Sequence, residues 1–304
     1  EILIGLVGSE MCIRDSYLLI NIMIEQYAVL ITCFNRKEVT LKCLKQLYQQ
    51  KTAAIMDVYL CDDGSTDGTY ESVKEKYPTV HIFKGTGNLF WNRGMLAAWQ
   101  EACKVKEYDA YIWLNDDVFL YENAMSELIE CSTMCKDTSI ICGAFCSDSG
   151  EFSYGGRIKD GTPIIPNGTL QNVYWLNGNC VLIPKAIVNK IGLLDKMFQH
   201  HLGDFDYGLR AQEAGFNIVT TKRYLGICTP NLIKNNRSRK DGLTIIKRFQ
   251  RLYSPLGDNP FIQFRYTLRH FGIVKAIKIF ISLHVNNLLS DNLYYWKKSH
   301  TNKI

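Results

Sequence analysis

From Tyr27 onward, short apolar runs alternate with stretches whose apolar residues recur every three or four positions. Ala28 to Thr32 reads as a strand covered on both faces, since the run is almost uniformly apolar and stops at the turn Cys33-Phe34-Asn35-Arg36. A helix follows to about Gln50, with Leu41, Leu44, Leu47 and Tyr48 on one side. The alternation then repeats: a strand Met56 to Cys61, a helix Thr69 to Lys76 and a strand Thr79 to Phe83. A loop from Lys84 to Arg93 leads into a helix to about Lys104, and a last apolar run, Tyr111 to Leu114, ends at Asn115-Asp116-Asp117. This spacing predicts an α/β fold, a mostly parallel central sheet flanked by helices. Ligands in such sheets sit beyond the carboxyl ends of the strands, where Thr32, Asp62, Asp63, Gly85, Gly87, Asp116 and Asp117 all fall.

Both ends of the chain depart from the pattern. Gly5 to Ser16 resembles translated adapter sequence, and Met23 directly precedes the first regular strand. Residues 1–22 are therefore expected to be a non-native scar or disordered. A signal peptide is the rival, weakened because nothing positive immediately precedes the apolar Tyr17 to Ile24. At the other end, Leu243 to Leu252, Phe261 to Phe271 and Ile273 to Leu289 read as helices. The last places Val274, Ile277, Ile281 and Val285 near helical spacing with Lys275 and Lys278 beside them, which suits a helix lying in a membrane interface. Packing against the rest of the chain would explain the apolar face equally well, but not the charge.

The charge changes the picture. The total of +5 conceals 14 Lys and Arg against three Asp between Lys234 and Ile304, a local +11 that leaves the first 233 residues at −6. A basic tail on an acidic body suits an anionic membrane surface. Nucleic acid is not expected, because no recognition motif accompanies the charge. The eleven cysteines include Cys33 and Cys61 inside apolar strands, so they read as buried thiols of a reducing, cytoplasmic compartment. Cys131, Cys135, Cys142 and Cys146 could be drawn as a zinc site, but the spacing is not the usual one and the first pair has helical spacing. No run of roughly 18 uninterrupted apolar residues offers a membrane span.

The candidate chemistry starts at Asp116-Asp117. Adjacent acids at a strand end repel and resist burial, so they call for a cation or a ligand's hydroxyls between them. Oxygen ligands favour Mg²⁺ or Mn²⁺; a solvated Asp-Asp turn is the plain alternative. A dinucleotide site is excluded, because the turn after the first strand, Cys33 to Lys37, holds no glycine, and Gly85-Thr86-Gly87 follows the third strand and lacks the last glycine.

Six motifs in order carry a resemblance. They are Thr32 to Arg36, Asp62 to Thr69, Gly85 to Gly87 with Asn92-Arg93-Gly94, Asn115 to Asp117, Leu176 to Ile183, and Gly203 to Arg210 with Ala214-Gly215-Phe216. Together with Ile191 to Asp195 they make the chain similar to the inverting family-2 glycosyltransferases of the GT-A fold, of the bacterial rhamnosyltransferase and galactofuranosyltransferase kind. The resemblance covers Tyr27 to Cys228. It implies a catalytic domain at 23–232, with a nucleotide-sugar half to about 118 and an acceptor half from 119, followed by a basic helical extension at 233–304.

The resemblance also implies roles. Thr32, Phe34 and Asp63 would hold the base, Phe34 by stacking, with a core aromatic as the alternative for its ring, and Asp63 by accepting an imide N–H. Gly87, Asn92 and Gly94 would let backbone approach the donor. Asp116 would lie near ribose and donor sugar, and Asp117 would bind Mg²⁺ or Mn²⁺, a burden heightened because relatives often have Asp where this chain has Asn115. Asp204 would be the general base, while Asp206 and Arg210, four apart on a helix, would pair. Trp175, Asn177 and Gly178 would line the acceptor side, with Trp91 and Trp175 able to stack on sugar rings. His200 and His201 read as strand-end residues, with contact to acceptor or metal as the alternative. The expected partners are a UDP- or dTDP-sugar and a glycan or lipid-linked saccharide, with the donor sugar open among rhamnose, galactofuranose and glucose. The activity expected is metal-assisted transfer in cell-surface polysaccharide synthesis, in the cytoplasm or on the inner face of the membrane. A sugar-nucleotide nucleotidyltransferase is the first rival, disfavoured because its glycine-rich phosphate loop is missing. A non-catalytic nucleotide-sugar or glycan-binding module is the second.

Overall fold

The computed structural model describes residues 25–230 and 237–301. The expectations for residues 1–22 and for the junction near 232 fall outside them. The sheet grows from β1 (Gln26–Cys33), which pairs in parallel with β2 (Ile55–Asp62) on one side and β4 (Ala110–Leu114) on the other. β3 (His81–Lys84) extends the parallel half beyond β2. Beyond β4 the direction changes: β8 (Cys180–Pro184) runs antiparallel to β4, and β6 (Ser139–Cys146) runs antiparallel to β8. β9 (Asn217–Ile227) then pairs in parallel with β6, β5 (Phe119–Leu120) closes that edge, and β7 (Phe152–Tyr154) pairs with β6. The order β3-β2-β1-β4-β8-β6-β9-β5 gives the expected α/β sheet, parallel through its first half and mixed beyond β4.

Alternation along β1 divides the core. Tyr27, Val29, Ile31 and Cys33 join one apolar cluster, with Leu41, Leu44 and Leu47 of α1 (Lys37–Tyr48) and Leu128 of α4 (Ala124–Met134). Ala28 and Leu30 join the other, with Met95, Trp99 and Ala102 of α3 (Phe90–Val105) and Tyr207 of α6 (Gly203–Glu213). In that second cluster Trp113 packs edge-on against Trp99 and Tyr207, with ring centroids 5.7 and 5.2 Å apart, and so fixes β4 just before its acidic end. Cys33 and Cys61 are buried free thiols, and burial pushes Cys61 up to about 12, whereas Cys103 is exposed and Cys135 half-buried. Cys142 lies in β6, its Sγ 3.7 Å from the Asn177 carbonyl, while Cys131 turns to Glu127 on its own helix. Among the described residues no three His, Cys, Asp or Glu side chains gather as a metal site, so the zinc drawing has no structural counterpart there.

The tail folds back on the body through α8 (Pro260–Phe271), and then reverses at Gly272 (φ 84°) into α9 (Ile273–Leu288). A further helix, α10 (Asp291–Thr301), was not legible because its apolar residues follow no single stripe. α8 docks on α6 through charge. Asp206, fully buried, receives hydrogen bonds from Arg210 Nε at 2.8 Å, Arg269 Nη1 at 2.7 Å and His270 Nε2 at 2.9 Å. Asp206 and Arg210 pair as expected, but two tail cations complete the set. Arg239 and Arg248 are also buried, both bonded to Asp291. Part of the +11 therefore serves internal ties, which corrects the expectation that packing leaves the charge unexplained.

His270 makes the junction pH-sensitive. Its Nδ1 faces Glu213 at 2.8 Å while Nε2 faces Asp206, and only the imidazolium can donate to both. Burial opposes the charged ring, yet Asp206 and Glu213 hold its pKa above the ordinary value. A raised folded pKa stabilises fully below the unfolded value of about 6.5, and that contribution is lost as pH rises through the folded value. Urea denaturation is therefore expected to show stability declining above about pH 6.5, and His270→Gln to flatten that decline.

Candidate active site

Register places the polar residues on one edge. Cys33 pairs with Asp62 at the ends of β1 and β2, so the turns that follow them meet, and the Asp63 amide donates to the Cys33 carbonyl at 2.9 Å. Because β8 runs against β4, with Leu114 opposite Cys180, the loop before β8 lands beside the residues after β4. The Asn115 amide donates to the Asn179 carbonyl at 2.8 Å, and Asn115 Oδ1 accepts from Trp91 Nε1 at 2.6 Å. Gly178 then donates its amide to Asp204 Oδ2 at 3.2 Å, tying that loop to the start of α6. These contacts enclose a cleft of about 600 Å³.

Thr32, Phe34, Asp63, Trp91, Asp116, Asp117, Asn177, Gly178 and Asp204 all line this cleft. Phe34 is 52% exposed there, so the alternative of a core aromatic falls. Asp63 is buried and its carboxylate accepts amides from Gly87 at 2.9 Å, Leu89 at 2.8 Å and Phe90 at 2.9 Å. It organises the loop at the head of α3 and keeps one Oδ1 lone pair at most for another donor. Gly87 is thus a strut of that loop, and among the described residues it is not part of the cleft lining.

Together with Gly87, Asn92 and Gly94 make three donor-side expectations that are corrected, and Trp175 is one on the acceptor side. Asn92 is fully buried and its Nδ2 donates to the carbonyls of Asp195 at 2.9 Å and Phe198 at 2.8 Å, so it anchors the loop before α6 instead of touching the cleft. The backbone of Gly203 passes so close to it that a Cβ would fall 1.7 Å from Asn92 Oδ1. Gly94 packs on Thr32, where a Cβ would meet Oγ1 at 2.2 Å. Trp175 lies outside the cleft lining: its Nε1 donates to the Lys159 carbonyl, and its ring packs on Phe205 and Phe271. His200 and His201 sit in the turn before α6, not at a strand end, and line the cleft. Burial lowers His200 to about 4, which keeps its ring neutral, while His201 Nε2 lies 3.1 Å from Asp258.

The acids differ in how they are compensated. Asp116 is buried, accepts from Thr40 Oγ1 at 3.0 Å and pairs with Arg36 Nη1 at 3.1 Å; burial pushes it up to about 6, against the pull of Arg36. Asp117 is 38% exposed at its side chain and pairs with the same Nη1 at 2.9 Å. Asp204 is partly open to the cleft, and its Oδ1 accepts the Phe205 amide at 2.9 Å. Burial raises its pKa, opposed by the amides of Phe205 and Gly178. Residues without an assigned role in the sequence also line the cleft: Arg36, Tyr154, Asn179, Arg237 and Leu256. Arg36 had a signal, since two adjacent acids demand a counter-ion; Arg237 and Leu256 come from the tail and had none.

Asp117 and Asp116 are the residues that could hold a divalent ion. The donor set is hard oxygen, and it already attracts a cation, the Arg36 guanidinium, so the residues fit Mg²⁺ or Mn²⁺.

Comparison with known proteins bears on the family and the fold. The sequence model described as Glycosyl transferase family 2 matches residues 28–198, more than half of the chain. N-acetylglucosaminyl-diphospho-decaprenol L-rhamnosyltransferase of Mycobacterium tuberculosis (strain CDC 1551 / Oshkosh) is 22% identical over 191 residues, covering 53% of this chain and 62% of that protein. The same protein of strain ATCC 25618 / H37Rv matches equally. The chain thus spans less than two thirds of these curated relatives. Among solved structures, S. aureus TarS superposes with a TM-score of 0.54 at 13% identity, covering 88% of this chain and 44% of TarS. TarS 1-349 in complex with UDP-GlcNAc gives 0.53 at 13% identity, covering 86% of this chain and 72% of that one. The fold is shared with these GT-A structures.

Three amides converge on one carboxylate at Asp63. Asp63→Ala is expected to lower stability by about 3 kcal/mol in urea denaturation and to loosen the 85–90 loop, seen as faster amide exchange there.

Proposed function

Because this chain belongs to glycosyl transferase family 2, we propose that it moves one sugar, with inversion, from a nucleoside-diphosphate donor to a hydroxyl of a glycan or lipid-linked saccharide. The observation that carries this reading is that Asp117 and Asp204, far apart in sequence, face one cleft together with the exposed ring of Phe34. Phe34 stacks on the base of a UDP- or dTDP-sugar, with Thr32 beside it, and the loop held by Asp63 shapes the donor's bed. Asp116 serves the ribose and donor sugar. A Mg²⁺ or Mn²⁺ ion beside Asp117 would neutralise charge on the departing diphosphate.

Asp204 takes the proton of the acceptor hydroxyl at a carboxylate oxygen. The Gly178 and Phe205 amides fix its orientation, and its raised pKa makes it a stronger base than an ordinary Asp. Asn177 and Gly178 form the acceptor side, with Trp91 as the ring available to a sugar face.

A lipid-linked acceptor is supported by the diphospho-decaprenol in the relative's name and by the tail. No helix among the described residues is long and apolar enough to cross a membrane. α9 nevertheless exposes Val274 at 65%, Ile277 at 47% and Ile281 at 54%, flanked by Lys275 and Lys278. This suits peripheral docking on the anionic inner face of a bacterial membrane, within cell-surface polysaccharide synthesis.

Thermal shift with a panel of nucleotide sugars should single out the donor, since a bound ligand raises apparent stability. Asp204→Asn is expected to keep that shift and lose transfer by roughly 10²–10⁴-fold; full transfer by this variant would overturn the assignment. Wild-type kcat/KM should fall on acidification with an apparent pKa above the ordinary Asp value of about 3.9. Flotation with anionic liposomes should carry the protein upward, and the double change Ile277→Gln with Ile281→Gln should leave it at the bottom of the gradient.

A further inference from the structure

Arg36 is the cation nearest both acids at the end of β4. One nitrogen, Nη1, makes both contacts, at 3.1 Å to Asp116 and 2.9 Å to Asp117. Among the described residues, Nη2 and Nε of Arg36 donate to nothing, and the side chain is 48% exposed on the cleft wall, two positions from Phe34. The two acids depend on it unequally. Asp116 keeps the Thr40 hydroxyl if Arg36 leaves, whereas Asp117 has no other hydrogen-bond partner among the described residues. A divalent ion arriving at Asp117 would meet a guanidinium already seated there, and like charges at contact distance repel. Nor do the described residues offer a third acid, His or Cys to complete a protein-only site, so an ion at Asp117 must draw ligands from substrate oxygens and water.

We propose that Arg36 is a counter-ion gate: it occupies the Asp116–Asp117 pair in the empty enzyme and is drawn off by the donor's diphosphate, so that metal and nucleotide load together. The guanidinium exchanges carboxylate oxygens for phosphate oxygens, which its planar fork suits, and its unpaired Nη2 and Nε are the donors available for that contact. Asp117 is released at the moment when phosphate oxygens are at hand to complete the ion's shell. The gate disfavours metal without donor, and by linkage the same coupling strengthens donor binding when metal is present. This inference rests on the nucleoside-diphosphate reading of the cleft. It adds an order of loading and a role for a residue outside that reading.

The test follows Mn²⁺ binding to the full chain by electron paramagnetic resonance, with no sugar donor and no turnover. Wild type is expected to bind Mn²⁺ weakly alone and more tightly with UDP or dTDP, beyond what the free nucleotide chelates. Arg36→Gln is expected to bind Mn²⁺ alone about tenfold more tightly than wild type, and to gain less from the nucleotide. Equal Mn²⁺ affinity of the two proteins without nucleotide would overturn the gate. So would a wild type whose Mn²⁺ affinity neither nucleotide improves, a result that needs no variant to fold. Failure of the gate is separable from failure of the donor reading, because thermal shift by UDP or dTDP without metal reports nucleotide binding on its own.

Discussion

The antiparallel seating of β8 against β4 is the constraint from which the cleft follows. A parallel neighbour would have carried its starting loop to the opposite edge of the sheet. Reversed, β8 brings Asn177, Gly178 and Asn179 beside Asn115, Asp116 and Asp117, and backbone bonding between Asn115 and Asn179 locks the two loops. Gly178 then reaches Asp204, and Asn92 pins the loop that leads into α6. Two acids that lie on different elements come to share one hollow through strand direction, a backbone lock and the side-chain ties of Asn92 and Asp204.

Once gathered, the acids must be kept from unfolding the edge they sit on, because a buried carboxylate without partners costs several kcal/mol. Asp63 is satisfied by three amides, Asp116 by Thr40 and Arg36, and Asp206 by one guanidinium of its own helix and two cations of the tail. Asp204 has the amides of Gly178 and Phe205 and no ion pair among the described residues, and burial raises its pKa against them. A cleft-facing acid is thus left with its affinity for a proton raised by burial and opposed only by backbone amides and a neighbouring imidazole.

The tail follows the same economy of charge. Its buried arginines tie helix ends together, while α8 carries Arg269 and His270 to Asp206, two positions from Asp204. The loop between α7 (Ile245–Leu252) and α8 adds Leu256 to the cleft wall. The extension is therefore part of the wall around the site as well as the bearer of an exposed apolar stripe. A reading of the tail as a basic appendage misses this, because a net charge does not say which cations are spent inside.

Local pattern determined the strands and helices of the first half, the edge of the sheet where ligands would sit, and the acids that crowd it. Short uniformly apolar runs and period-three-or-four apolar spacing write these directly into the chain, and the motifs Asp62 to Thr69 and Asn115 to Asp117 mark the turns. Tertiary structure alone decided which marked residues face the cleft. Phe34 and Asp204 do, whereas Asn92 and Trp175 are taken up by a loop anchor and a helix interface. The spacing of residues along a chain fixes which way a side chain leaves its own element. What it then meets depends on partners a hundred positions away, such as Asp195 and Phe198 for Asn92, and no local pattern records them.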